Sequence, residues 1–273
     1  MAGAEPPSMT DAAGMPASER VVACEGIHNL RDYGGYEASA GRLVTGRLFR
    51  SAQHREASSP DLEKVAGLDL AAVIDLRGRS EREAAPCPRP DGFGARVILV
   101  DDETINPADA ARYARAFDSP AAAREALTEG YRAMPYRPNL QRLFGLYFEA
   151  LAQEDGATLI HCLAGKDRTG LAVALFHHAM GVHRDDMMAD YLLTNSAGNV
   201  EARVAAAAAA MRDMHGGDIR EDALAEFLGV RAEYLETAFA AIRAEHGSLD
   251  RYLHEVLGVT AARRQELERR LAA

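Results

Sequence analysis

The 273-residue chain has no tryptophan, and aromatic residues make up only 6% of it. It has three cysteines, Cys24, Cys87 and Cys162. An odd number at wide spacing forms neither a disulfide framework nor a zinc-ligand pattern, and it suits a reducing compartment in which a free thiol persists. Neither a metal nor a cofactor is expected. No apolar run approaches the roughly 20 residues that a membrane helix needs. The first twenty residues, MAGAEPPSMTDAAGMPASER, lack the apolar centre of a signal peptide. A soluble, cytoplasmic protein is the expectation. Positive charge is also short, with 31 Lys and Arg against 41 Asp and Glu and a net charge of −10. Such a chain is a poor general binder of nucleic acid or of an anionic membrane surface. An anionic ligand would need a local positive pocket.

What remains is ordinary globular material, 48% apolar and 26% charged, long enough for one sizeable core. Residues 1–20 read as a disordered tail, and 21–273 as a single domain. Continuous apolar runs at 70–76 (LAAVIDL), 96–100 and 158–161 predict strands buried on both faces. Helices are predicted after Ser59-Pro60, from a Ser80/Glu83 capping box, over 107–133 with a restart at Ser119-Pro120, and from an Asn139 cap. Leu140, Leu143, Phe144, Tyr147 and Leu151 give that last helix one apolar face. Another spans 169–180, closed by Gly181, and everything after 183 reads as helix. Strand–helix alternation predicts an α/β fold, a mostly parallel central sheet flanked by helices with a helical C-terminal extension. Ligands of such sheets bind beyond the carboxyl ends of the strands.

One such end carries His161-Cys162-Leu163-Ala164-Gly165-Lys166-Asp167-Arg168-Thr169-Gly170. Five residues separate Cys162 from Arg168, between a buried strand and a helix. The amides of Leu163, Ala164, Gly165 and Lys166 and the helix start can converge on one anion. Arg168 can grip two phosphate oxygens with its planar fork. The same positive surroundings favour the thiolate of Cys162, a nucleophile for phosphorus. Thr169 can donate its hydroxyl to that sulfur, and the ring of His161 can orient the loop. Asp167 either protonates a leaving oxygen or caps the helix. Asp75, at the end of its own strand, either pairs with Arg168 or another loop-facing arginine or caps a turn. Arg50 reaches either phosphate or a carboxylate. A buried cysteine in a glycine turn is the plain alternative, but the strand, the loop composition and the helix together favour chemistry.

The loop resembles the signature of the protein tyrosine phosphatase superfamily, and more narrowly the atypical bacterial tyrosine and lipid phosphatases whose loop reads HC-x-AGKDRTG. The resemblance extends to Asn29-Leu30-Arg31-Asp32 with Gly34-Gly35, to Gly46–Ser51, to Val73–Arg77, and to Gly229–Leu235 with Gly247-Ser248-Leu249. It covers roughly residues 25–260. It implies hydrolysis of phosphotyrosine in proteins through a cysteinyl-phosphate, with a phosphoinositide as the alternative substrate. Ordinary members place their general acid on a mobile loop beside a Trp. This chain has no Trp, and its matching stretch offers only Glu125 and Glu129, so the resemblance points to Asp167, with Asp101 and Asp102 as other candidates. It also implies that Lys166 meets additional phosphates at the rim, a solvated lysine being the plain alternative, and that about 199–228 forms a lid, with a peripheral helix pair as the plain alternative. That segment combines an alanine run, Ala205–Ala210, with a His215-Gly216-Gly217-Asp218 joint. Arsenate reduction also uses such a loop but needs resolving cysteines, for which Cys24 and Cys87 stand in no convincing motif.

Overall fold

The computed structural model describes residues 16–215 and 220–273. Among these residues the strands are β1 Arg31–Asp32, β2 Glu37–Ala38, β3 Gly41–Arg42, β4 Leu48–Ser51, β5 Leu70–Asp75, β6 Arg96–Ile98 and β7 Ala157–His161. The helices before the Cys162 loop are α1 Ala17–Arg20, α2 Ser59–Ala66, α3 Arg79–Ala84, α4 Pro107–Ala114, α5 Pro120–Ala133 and α6 Pro138–Gln153. After it come α7 Asp167–Met180, α8 Arg184–Leu192, α9 Thr194–Ala197, α10 Val200–His215, α11 Glu221–Leu228, α12 Ala232–His246, α13 Leu249–Glu255 and α14 Ala261–Leu271.

The main sheet runs β1-β4-β7-β5-β6, parallel except for β1, and β2 and β3 form a separate hairpin. Side chains alternate across it, as the pleat requires. Leu48, Ala72, Ile74 and Ile160 point into the larger core with Leu143, Phe144 and Phe148 of α6 and Leu171, Leu175 and Phe176 of α7. Phe49, Val73 and Leu159 point the other way, onto Ile27, Leu30 and Val65. Ser51, His161 and Asp75 stand side by side in register at the carboxyl edge. The Cys162 loop therefore leaves from the centre of the sheet, flanked by two neighbouring strand ends.

Several local expectations shift. Of the expected tail, residues 1–15 lie outside the described residues. At the end of that stretch Arg20 is buried, donates to the Gly34 carbonyl and lies 3.8 Å over the Tyr36 ring. The strand at 96–100 is not buried on both faces. It is the sheet's outer edge, with Val97 39% and Leu99 40% exposed. Ser58, not Ser59, caps α2. Helix α6 starts at Pro138 with Arg137 before it, and Asn139 instead donates to the Glu103 carbonyl at 2.8 Å. In α3 it is Glu81, not Glu83, that reaches back, accepting from the Gly78 N–H at 2.9 Å. The C-terminus closes on the hairpin, with paired 2.9 Å bonds between Arg42 and Ala273.

Candidate active site

Strand β7 ends at His161, and Cys162 to Lys166 turn directly into α7. The turn is possible because Gly165 adopts φ +65°, and because a Cβ there would sit 2.3 Å from the Ser51 carbonyl oxygen. Only glycine tolerates both the angle and the approach. Scaffold donors fix the loop's carbonyls. Gln53 N–H donates to Leu163 O at 3.1 Å, while Asn29 Nδ2 and Arg50 Nη2 donate to Gly165 O at 2.8 and 2.9 Å. In a trans peptide the N–H points opposite its carbonyl. Those bonds therefore turn the N–H groups of Ala164 and Lys166 inward, where neither takes a backbone partner among the described residues.

The donors are themselves held from beneath. Arg31 and Arg50, both wholly buried, share the carboxylate of Asp190 on α8 at 3.3 and 2.7 Å. Burial opposes the charge of Asp190, but the two arginines prevail and hold it below the usual carboxylate range. Arg31 also donates to Asn29 Oδ1. Arg50 thus takes the carboxylate role left open by the sequence. Asn29, Arg31 and Asp190 form a support that the loop motif does not announce. The signal available was two arginines on short strands, too polar to be buried unpaired.

Arg168 is 6% exposed and gripped end-on by Glu81. Nη1 donates to Oε2 at 2.5 Å and Nη2 to Oε1 at 2.7 Å. The second Nη1 hydrogen goes to Thr104 Oγ1 at 2.9 Å and Leu76 O at 3.2 Å. Counting the five N–H groups of a guanidinium leaves Nε–H and the other Nη2 hydrogen, which share one edge, without a protein partner among the described residues. That edge is a ready fork for two phosphate oxygens. Burial works against both charges, yet each partner outweighs it, raising Arg168 and lowering Glu81 from their ordinary pKa values. Of the readings left open for Asp75, the pair with Arg168 is not formed, while a pair with another arginine and a turn-capping bond from the Arg77 N–H at 3.0 Å both are. Asp75 takes Arg77 instead, at 2.7 and 2.9 Å, because Arg77 follows it within the same turn.

The remaining candidates divide. Cys162 is 2% exposed, at the base of the loop. His161 lies between Asp75, 3.7 Å from Nε2, and the Cys162 carbonyl, 3.4 Å from Nδ1, and stacks on His54. Thr169 Oγ1 is buried without a hydrogen bond, so the expected donation to sulfur is not made. Lys166 does not face outward. It is 3% exposed, donates to the carbonyls of Phe227 and, at 3.1 Å, Gly229, and lies 5.2 Å over the Phe227 ring. Unsatisfied carbonyls at the end of α11 attract a cation, and this one answers them. Asp167 accepts from Tyr131 Oη at 2.9 Å through Oδ1, and Tyr191 Oη donates to Tyr131 at 2.7 Å. Its Oδ2 takes none of these bonds, and a quarter of the side chain is exposed. Glu125 and Glu129 instead line a groove between α4 and α5, Glu129 pairing with Arg132. Asp101 pairs with Arg79 and Arg82, and Asp102 folds onto the Glu103 N–H.

A thiol under inward amides, with an arginine fork clamped beside it at the carboxyl edge of a parallel sheet, defines a cysteine-dependent phosphatase. Comparison with known proteins agrees. Residues 22–273 match the tyrosine phosphatase family. A protein of Cupriavidus necator, provisionally named a tyrosine-protein phosphatase, is 35% identical over 245 residues, 88% of this chain and 85% of that one. The triple specificity protein phosphatase PtpB of Mycobacterium tuberculosis is 32% identical over 268 residues, 87% of this chain and 94% of that one. A tyrosine-protein phosphatase of Nostoc commune is 27% identical over 237 residues, covering 82% and 74%. The chain belongs to the tyrosine phosphatase family.

Among the described residues no helix is long and apolar enough to cross a membrane, and no cluster of His, Cys, Asp and Glu could hold a metal ion.

Proposed function

We propose that this enzyme hydrolyses phosphotyrosine in proteins, with room for other phosphomonoesters, through a cysteinyl-phosphate on Cys162. The observation that carries the reading is the Arg168 fork, clamped on one edge by Glu81 and unpartnered on the other. The Cys162 sulfur attacks phosphorus as the ester P–O bond breaks, and the leaving oxygen takes a proton from Asp167 Oδ2. Water then attacks phosphorus, the S–P bond breaks, and Asp167 takes back a proton. The free Oδ2 and the Tyr131 bond that orients the group support that role. The broad specificity in the name of the Mycobacterium relative supports a range of substrates here.

A protein substrate is preferred over a phosphoinositide because Lys166, the cation expected to meet additional phosphates, is committed to the carbonyls of Phe227 and Gly229. Hydrolysis is preferred over arsenate reduction because Cys24 is pushed up to about 11 by burial and by Asp61, which makes it a poor resolving thiol. Helices α10 and α11 are read as a lid over the loop. Their joint, residues 216–219, lies outside the described residues.

The test is a leaving-group series. Cys162→Ser should abolish turnover yet keep phosphate affinity. Asp167→Asn should slow phosphotyrosine and alkyl phosphates far more than an activated aryl phosphate, whose leaving group needs no proton. Equal losses across the series would assign Asp167 to positioning alone. Turnover by a clean Cys162→Ser protein would defeat the mechanism.

A further inference from the structure

With Lys166 engaged by carbonyls, a different cation stands free beside the loop. Arg203 lies in the first turn of α10, its N–H bonded to Asn199 O at 3.0 Å, and its side chain is half-buried. The end of α9, just before that helix, is tied to the Cys162 loop through one residue. Asn29 gives its N–H to Ala197 O at 3.0 Å and its Nδ2 to Gly165 O at 2.8 Å. Asn199, at φ 54°, then redirects the chain into α10.

Among the described residues the Arg203 guanidinium makes no hydrogen bond or ion pair. The charges that favour its protonated form are those of Asp167 and Cys162, against a burial that opposes it. Lys166 and His28 in turn feel its positive charge. A half-buried guanidinium without a carboxylate is costly. One carried by the first turn of a helix whose approach is tied through Asn29 to Gly165 of the loop lacks only an anion.

We propose that Arg203 is a substrate ligand. It binds the phosphoryl group itself from the α10 side, opposite the clamped fork of Arg168, and completes the phosphate site when α10 covers the loop. Helix α10 packs chiefly on α11 and α9, so this cation travels with the part of the lid least attached to the sheet. Phosphate binding and closure of α10 are then the same event. The proposal rests on reading the Cys162 loop as the phosphate site.

The experiment measures inhibition by inorganic phosphate, the smallest probe, alongside aryl phosphate kinetics, in wild type, Arg203→Ala and Arg203→Lys. Alanine favours helix, and a thermal melt checks that the variant is folded. Loss of a charge-assisted bond to phosphate should raise the phosphate inhibition constant and the KM about 10-fold in Arg203→Ala. Arg203→Lys should recover part of that, and the acid limb of the pH profile should stay in place. If the phosphate inhibition constant changes less than about 2-fold in Arg203→Ala, the proposal is wrong. It is equally wrong if only the acid limb moves, since Arg203 would then act on Asp167, or if only peptides with acidic flanks lose affinity. Wild type that phosphate does not inhibit at all would instead overturn the reading of the loop.

Discussion

At the scale of single residues, the site depends on groups whose own partners are easily overlooked. Arg168 is held in place by Glu81, a residue of a short helix 87 positions earlier. Its carboxyl is held below its ordinary pKa by Arg168 despite burial. The pair is therefore present above the usual carboxylate range and is lost only as pH falls through the depressed value. Glu81→Gln should keep the helix but loosen the fork, lowering kcat/KM about 10- to 100-fold at any pH above about 5. A loss confined to acidic pH would mean that Glu81 does not set the fork. Gly165 is the other single-residue lever. Gly165→Ala must accept a positive φ and collide with the Ser51 carbonyl. It should both lower the Tm and abolish phosphate binding, whereas a stable, active Gly165→Ala protein would show that the loop has another conformation.

At the scale of elements, α10 and α11, the helices proposed as a lid, are fastened unequally. The end of α11 is tied by Glu226, which accepts from Arg231 at 2.6 and 2.8 Å, from Arg124 at 3.1 Å and from Tyr234. These partners hold Glu226 at a pKa of about 2 against the cost of burial. Lys166 grips the same end from the loop. The Ala-rich α10 has fewer large side chains to bury, and weakly packed elements open at low free energy. Amides of α10 should therefore exchange with solvent faster than those of α11, although the two are neighbours in sequence. Lys166→Met should speed exchange around 226–230 and leave α5 unchanged. Exchange in α10 as slow as in β7 would rule out its opening as a gate.

Strands β5, β6 and β7 and the loop were legible in the sequence because apolar runs, a glycine turn and a helix start are local signals. The partners were not, because Glu81, Asp190 and Phe227 reach the loop across long stretches of chain, and no periodicity encodes such meetings. Lys166 shows the limit best. Its position in the loop was correct, but its direction depended on where α11 ends.

At the scale of the whole molecule, the acid side of stability follows from histidines buried in the folded chain. His54, His161 and His177 are each wholly buried, and burial lowers each pKa below 6.5 even where Asp75 or Asp190 pulls the other way. In the unfolded chain the same rings protonate near the ordinary value of about 6.5. Below that pH, and above their depressed folded values, the unfolded state holds more protons, so stability rises with pH across this window. Each ring contributes at most about 1.4 kcal/mol per pH unit. Asp75 and Asp190 act elsewhere. Their pKa values are depressed in the folded chain, so their contribution is complete above the ordinary carboxylate range and falls away only in stronger acid. Two separate declines follow, a first one beginning near pH 6.5 and a second one below about pH 4. Thermal melts at pH 7.5, 5.5 and 3.5 should show both. His177 Nε2 donates to the Tyr33 carbonyl, 2.9 Å away, so His177→Gln should flatten the first decline and, because Arg31 and Arg50 are the larger influences on Asp190, shift the second little. A Tm that stays level between pH 7.5 and 5.5 would mean that these rings take up protons in the folded state, and that the carboxylates beside them outweigh burial.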